Sequence, residues 1–153
     1  MANTYTQIHI HFVFAVKYRK AIIHKNWKDE VNKYISGIIR NNNHKLLAIN
    51  GVSDHIHILV GFRPVQSISE LMKNVKQNSS KWINENRFIN THFEWQEGYG
   101  AFSYSKSQLH AVINYIENQE QHHKQKTFRE EYINFLEKFE VDYDEKFIFK
   151  ELI

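Results

Sequence analysis

Alternating apolar and polar residues near the start of the chain predict its first strand. Between Thr6 and Val16 every second position is apolar, the four residues being Ile8, Ile10, Phe12 and Phe14. Side chains alternate across a strand with a period of two, so these four share one face. The opposite face carries Gln7, His9, His11 and Val13. We therefore expect a strand with one buried face.

Apolar residues then recur at intervals of three and four, which predicts two helices. The first apolar stripe consists of Trp27, Val31, Tyr34, Ile35 and Ile38. Three asparagines at 41–43 end this helix. Ser67 and Glu70 form a capping-box pattern ahead of a second stripe, so we expect another helix running to about Asn86.

Two apolar runs lie between these helices and predict a hairpin. They cover residues 45–50 and 55–62, and Gly51-Val52-Ser53-Asp54 joins them. Pro64 ends the second run because proline cannot donate a hydrogen bond to a neighbouring strand.

Short extended segments and two further helices follow in the second half of the chain. The extended segments are expected at 93–96 and 101–104, and Ser105 or Ser107 caps the third helix. Thr127 begins another capping-box pattern, with Glu130, ahead of a fourth helix.

The predicted order of elements, β-α-β-β-α-β-α-α, favours an α+β fold. We expect an antiparallel sheet with helices packed on one face. The tail from Val141 to Ile153 mixes aromatic and charged residues, and the pattern leaves open whether it forms a loop or a strand.

Composition narrows the class of protein without identifying its function. At 153 residues and 42% apolar content, the chain is expected to form a single domain over 1–153, the segment after about 140 being the least defined. The absence of cysteine excludes disulfides, thiolate zinc sites and thiol nucleophiles. A net charge of +3 is compatible with a polyanionic partner. No signal-peptide pattern or membrane-length apolar run is visible, so a cytoplasmic protein is expected.

The segment Asp54-His55-Ile56-His57-Ile58 is the first candidate for chemistry. Its two imidazoles fall on one face of a predicted strand, where a metal ion or a phosphate could partner them. The triplet His9-Ile10-His11 has the same form, so the pattern alone does not identify a metal or phosphate site. We interpret His9 and His11 as structural or supporting residues, with His11 the more buried.

Tyr115 and Gln119 are the second candidates, because four residues of helix place them on one face. A tyrosine at the edge of an apolar stripe is most often a half-buried rim residue, but a nucleophile needs the same position. A phenol that attacks a DNA phosphate keeps the phosphodiester energy in a phosphotyrosine bond. This chemistry needs no phosphate-binding glycine loop, and none is present. Imidazole nitrogens and an amide oxygen suit a divalent ion, zinc included.

Basic residues provide a candidate surface for nucleic acid. Such residues are most often simply solvated, but together they could follow a phosphate backbone. The candidates are Lys17, Arg19, Lys20, Lys73, Lys76 and Lys81.

Several motifs in the same order resemble the HUH-type single-tyrosine transposases of small bacterial insertion sequences, including the REP-associated tyrosine transposases. The matching segments cover most of the chain. They are Val16–Lys20, Ser53–Val60, Lys76–Trp82, Trp95–Ser103, Tyr115–Gln119 and His122-His123.

The resemblance implies a ferredoxin-like HUH fold that acts as a homodimer on single-stranded DNA with hairpin ends. By this resemblance His55, His57 and Gln119 would bind Mg²⁺ or Mn²⁺. Tyr115 would be the nucleophile, leaving a 5′-phosphotyrosine and a free 3′-hydroxyl. In this family the tyrosine helix can complete the partner's site, and the basic residues are candidates for DNA contacts.

Three alternatives remain open at the level of sequence. A non-catalytic DNA- or RNA-hairpin-binding module would use the basic and aromatic residues without Tyr115. A metal-dependent hydrolase would activate water at His55 and His57. A structural zinc site would make folding depend on the metal.

Overall fold

Four strands and five α-helices make up most of the part of the chain that the computed structural model describes. This part comprises residues 4–122 and 127–144, without the side chains of Arg19, Glu120 and His122. The strands are β1 (His9–Ala15), β2 (Lys45–Val52), β3 (His55–Gly61) and β4 (Gly100–Tyr104). The helices are α1 (Lys25–Asn41), α2 (Ile68–Asn86), α3 (Leu109–Glu117), α4 (Gln119–His122) and α5 (Phe128–Lys138).

The strands form one antiparallel sheet in the order β2-β3-β1-β4. The predicted hairpin between β2 and β3 is confirmed, with a turn at residues 53–54. Gly51 is required there, since a Cβ at this position would collide with the carbonyl oxygen of His55. The hairpin brings β3 to the interior of the sheet, where β1 pairs with it on the other side.

The first face of the sheet carries the main core, as the alternation in β1 predicted. Ile10, Phe12 and Phe14 lie in this core with the alternate residues of β3. The helices α1 and α2 cover the face, and burying their apolar stripes is the main stabilising contribution there. The buried helical residues include Trp27, Val31, Ile35, Leu71, Met72 and Val75.

The second face of the sheet is also buried, in addition to the one helix-covered face that the sequence predicted. Val13 and Ala15 contact α5, and Leu59 contacts α3. His11, predicted on the polar face of β1, is fully buried there. The α+β class and the antiparallel sheet are confirmed. The second helical layer was not visible in the pattern, because imidazoles occupy positions on this face that an apolar stripe would otherwise mark.

Capping residues set most helix starts where the sequence indicated them. The Ser67 hydroxyl accepts a hydrogen bond from the Glu70 amide, and Thr127 does the same for Glu130. Of the two candidates before the third helix, Ser105 forms the capping box, ahead of a 3₁₀ turn that leads into α3.

Two segments depart from the predicted elements. Residues 93–96 form no strand, and Trp95 makes only an isolated bridge to Val16. The chain from 141 to 144 has no regular structure, and the rest of the predicted tail, 145–153, lies outside the described residues.

None of the helices in the described part of the chain combines the length and the apolar content needed to cross a membrane.

Candidate metal and nucleophile site

Strand β3 places the imidazoles of His55 and His57 side by side on the second face of the sheet. Both side chains are fully buried, and their ring centroids lie 5.1 Å apart. They stand opposite Ala15 and Val13 of β1 in the antiparallel register. A buried imidazole needs polar partners, and each of these rings has one at both nitrogens.

The Nε2 atoms of the two rings converge on one carboxylate, that of Glu131 in α5. Its Oε1 lies 3.0 Å from His57 Nε2 and 3.3 Å from His55 Nε2. The ligand atoms of these three buried residues all lie within 4.8 Å of one another. Two imidazole nitrogens and a carboxylate oxygen form a donor set that first-row divalent ions accept, so the residues fit a metal centre.

The Nδ1 atoms point away from Glu131 and have separate partners. His55 Nδ1 lies 2.7 Å from Asp54 Oδ1, and His57 Nδ1 lies 2.8 Å from His11 Nε2. Burial by itself lowers the pKa of His55, but hydrogen bonds to Asp54 and Glu131 outweigh it, so this pKa is raised. Burial, followed by the charge of His57, lowers the pKa of His11 well below its ordinary value.

Tyr115 of α3 reaches the same carboxylate from the other side. Its hydroxyl donates a hydrogen bond to Glu131 Oε2, and its ring meets the His57 ring edge-on at 5.9 Å. Burial and then the negative charge of Glu131 raise the pKa of the Tyr115 phenol. The phenol is therefore held protonated, with its oxygen beside the imidazoles.

Gln119 is buried next to Tyr115, but the helix that was predicted to carry both is interrupted. α3 ends at Glu117, and Gln119 begins the single turn α4. The side-chain nitrogen Nε2 of Gln119 donates a hydrogen bond to the backbone carbonyl oxygen of Tyr115 at 3.2 Å. Asn50 of β2 donates to the carbonyl oxygens of Ile116 and Glu117, which satisfies the end of α3.

The predicted DNA-binding residues differ in their exposure and in their contacts. The Lys17 ammonium lies 2.8 Å from a Glu94 carboxylate oxygen, which raises the pKa of Lys17. Lys76 is half-buried and donates to the Gln96 and Gly98 carbonyl oxygens at 2.5 and 2.7 Å. It therefore supports the loop before β4.

Lys73 and Lys81 are exposed on α2, which packs on the sheet face opposite Tyr115. An open groove of about 890 Å³ is lined by α2 and residues 92–97. Lys20 is exposed after β1, and the Arg19 side chain lies outside the described residues.

Sequence reasoning brought His55, His57, Tyr115 and Gln119 to one region but missed Glu131. A signal was present, because Phe128, Glu131 and Phe135 recur at helical spacing and place a carboxylate on the apolar face of α5. A charged residue on such a face requires a partner, and here that partner is the imidazole pair.

Comparison with known protein families gives one match that covers most of the chain. The family model described as "Transposase IS200 like" matches residues 4–119. Transposases of insertion sequence element IS200 from Salmonella typhimurium and Salmonella typhi are each 27% identical over 125 residues. That alignment covers 78% of this chain and 81% of each relative.

Solved structures share the fold at lower sequence identity. A Deinococcus radiodurans protein described as a transposase has a TM-score of 0.64 and 22% identity. The match covers 78% of this chain and 95% of that one. A REP-associated tyrosine transposase bound to a REP hairpin has a TM-score of 0.61 and 12% identity, covering 100% and 98% of the two chains. These likenesses confirm the architecture that the resemblance predicted.

Proposed function

Since this chain belongs to the IS200-like transposase family, we propose that it cleaves and rejoins single-stranded insertion-sequence DNA through Tyr115. The observation that carries this proposal is a convergence of side chains. The Tyr115 hydroxyl and the Nε2 atoms of His55 and His57 all meet the carboxylate of Glu131. A nucleophile beside a metal-binding donor set is what metal-assisted transesterification requires.

The reaction that fits this geometry exchanges one phosphodiester bond for another. The Tyr115 oxygen attacks phosphorus, the phenol loses its proton, and the 3′-oxygen of the preceding nucleotide leaves and gains a proton. The products are a 5′-phosphotyrosine and a free 3′-hydroxyl, which can attack the tyrosine ester later. A bound divalent ion would supply positive charge to polarise the phosphate.

Protein side chains have distinct parts in this step. His55 and His57 would hold the ion, and Glu131 is the third ligand that the geometry favours, with Gln119 the alternative that the family resemblance implies. The Glu131 carboxylate also fixes the Tyr115 hydroxyl by accepting its hydrogen bond. We propose Mg²⁺ or Mn²⁺ as the ion, as the family resemblance implies, and the Glu131 carboxylate is a ligand that suits both.

The substrate is proposed to be single-stranded DNA with hairpin ends, and the active form a homodimer. Support for hairpin recognition comes from the structural relative that is bound to a REP hairpin. The exposed Lys20, Lys73 and Lys81 are candidates for phosphate contacts, although Lys81 Nζ also lies 3.9 Å from a Glu85 carboxylate oxygen. Lys17 and Lys76 are less exposed and have carboxylate or carbonyl partners.

The proposal is tested by trapping the covalent intermediate. Labelled oligonucleotides from the DNA that flanks the gene are incubated with protein and Mn²⁺, then separated under denaturing conditions. We expect a protein–DNA adduct that Tyr115→Phe abolishes and that Tyr5→Phe, at an exposed position, retains.

Other outcomes distinguish the alternatives. Cleavage that survives in Tyr115→Phe without an adduct would indicate a hydrolase. Hairpin binding without cleavage would indicate a binding module. Unfolding when zinc is chelated would indicate a structural zinc site.

A further inference from the structure

We propose that Asp54 and His11 are positioning residues that orient the two imidazoles toward the metal ion. The inference rests on the metal site of the proposed function. Each residue contacts the Nδ1 atom of one histidine, on the side away from Glu131. In metalloproteins such partners fix the ring and its tautomer, and their loss typically weakens metal binding by about 10- to 100-fold.

Asp54 fixes one tautomer of His55. An ionised carboxylate only accepts hydrogen bonds, so a proton must lie on His55 Nδ1, 2.7 Å away. His55 Nε2 faces the Glu131 oxygen at 3.3 Å, and with the ring proton held on Nδ1 its lone pair becomes available to an ion that takes the place of the Nε2 proton. The backbone of Asp54 is itself fixed, because its backbone carbonyl oxygen accepts a hydrogen bond from the Val16 amide at 2.8 Å.

His11 constrains His57 less strictly, because an imidazole can donate or accept. The His11 ring is fully buried among Phe102, Tyr104 and Phe135, surroundings that favour its neutral form. His57 can bind an ion through Nε2 only when its Nδ1–H donates to His11 Nε2. His11 then carries its own proton on Nδ1, an atom with no hydrogen-bond partner among the described residues.

The two proposed ligands therefore differ in whether their ring tautomer is fixed before the ion binds. The carboxylate of Asp54 sets the tautomer of His55 in advance. His57 has two consistent arrangements with His11, and metal binding selects the one that leaves His57 Nε2 unprotonated. We expect Asp54 to contribute more to metal affinity than His11.

Metal affinity of the DNA-free protein tests both positions. Free Mn²⁺ is measured by electron paramagnetic resonance during titration of the full chain. Asp54→Ala is expected to weaken binding by about 10- to 100-fold. Asp54→Asn keeps an oxygen that accepts from Nδ1–H, so it should remain close to the wild type. Similarly, His11→Leu should weaken binding and His11→Gln should restore most of it.

Two matched controls separate orientation from charge and from general damage. Asp29→Ala removes an exposed carboxylate from α1, and His9→Leu removes the half-buried histidine of the same triplet. Both should bind Mn²⁺ like the wild type. Equal losses in Asp54→Asn and Asp54→Ala would overturn the assigned role of Asp54, since charge rather than orientation would then matter.

Nitrogen-15 NMR of the wild type provides a test that does not depend on the variants folding. With Mg²⁺ bound, both His55 and His57 should carry their ring proton on Nδ1. A proton on Nε2 of either ring would overturn the inference. If the wild type binds Mn²⁺ and neither Asp54→Ala nor His11→Leu weakens it, only the positioning role fails. If the wild type binds no Mn²⁺, the proposed metal site fails and the inference with it.

Discussion

Glu131 makes contacts that link the imidazole pair to the phenol. Its Oε1 faces His55 and His57, while its Oε2 accepts the hydrogen bond of Tyr115. A buried carboxylate is unfavourable unless it is paired, and here the partners are the residues proposed for catalysis. The geometry therefore favours Glu131 as a metal ligand that also positions the nucleophile.

The substitution Glu131→Gln tests this role, because it keeps the shape of the side chain and removes its charge. We expect Mn²⁺ affinity to fall by at least about 10-fold, since a carboxylate ligand is lost. Isothermal titration calorimetry of the DNA-free protein measures the change. Glu130→Gln is the control, because Glu130 is the exposed neighbour. Unchanged affinity in Glu131→Gln would contradict the contribution of the Glu131 charge to metal binding.

Burial also makes stability depend on pH in the alkaline range. It raises the pKa of Tyr132 from 10.0 to about 12. The unfolded chain releases this proton at lower pH than the folded chain, so the unfolding free energy should fall between pH 10 and about 12. Urea unfolding at several pH values should show a smaller decline in Tyr132→Phe. Tyr5→Phe, at an exposed position, should follow the wild type.

The β2–β3 hairpin is the element that sets the position of His55. Gly51 of β2 passes so close to the backbone of β3 that a side chain there meets the His55 carbonyl oxygen and the Ile56 Cα atom. Both atoms belong to backbone and cannot move without shifting the strand. The position of His55, a proposed metal ligand, is therefore sensitive to a residue that makes no contact with the proposed ion.

Gly51→Ala is expected to destabilise the protein by about 2 kcal/mol, within the range for overpacking, and to weaken Mn²⁺ binding as β3 shifts. Gly37→Ala is the matched control, because Gly37 lies inside α1 with open space where a Cβ would be added. That substitution should stabilise the helix by roughly 0.5–1 kcal/mol. Thermal unfolding and Mn²⁺ titration check both variants, and equal stability of the two would contradict the steric explanation.

Several of these elements could be predicted from local sequence patterns. Features that depend on contacts between residues distant in sequence could not be predicted. Ser67 and Thr127 start their helices as the capping patterns indicated, because capping depends on residues three apart. The end of α3 depends on Asn50, which lies on β2 and is remote in sequence. A periodic pattern carries no information about such a partner, so the break before Gln119 was not predicted.

At the scale of the whole molecule, the candidate site lies between the sheet and its second helical layer. His55 and His57 come from β3, Tyr115 from α3 and Glu131 from α5. The histidine motif and the tyrosine were found from sequence because each is a local pattern. The layer that buries them could not be predicted, because it depends on where α5 returns to the sheet.

All of these groups meet within one chain, which predicts that Tyr115 acts on the proposed metal site of its own chain in the proposed homodimer. Proteins carrying Tyr115→Phe and His57→Ala are co-expressed with different tags, and mixed dimers are purified through both. We expect no DNA adduct from these dimers, because neither chain has a complete site. An adduct restored to a substantial fraction of the wild-type level would instead show that the tyrosine acts on the partner's site.

The Phe128 ring of α5 lies face to face over the His55 ring, with centroids 3.9 Å apart and planes inclined by 14°. In a magnetic field, the circulating electrons of a phenyl ring shield nuclei above its face. The carbon-bound protons of His55 should therefore resonate at unusually high field in proton NMR. If DNA lifts α5 from the sheet, this shielding disappears and the signals return to ordinary frequencies. The His55 resonance thus shows in solution whether α5 is packed against the sheet.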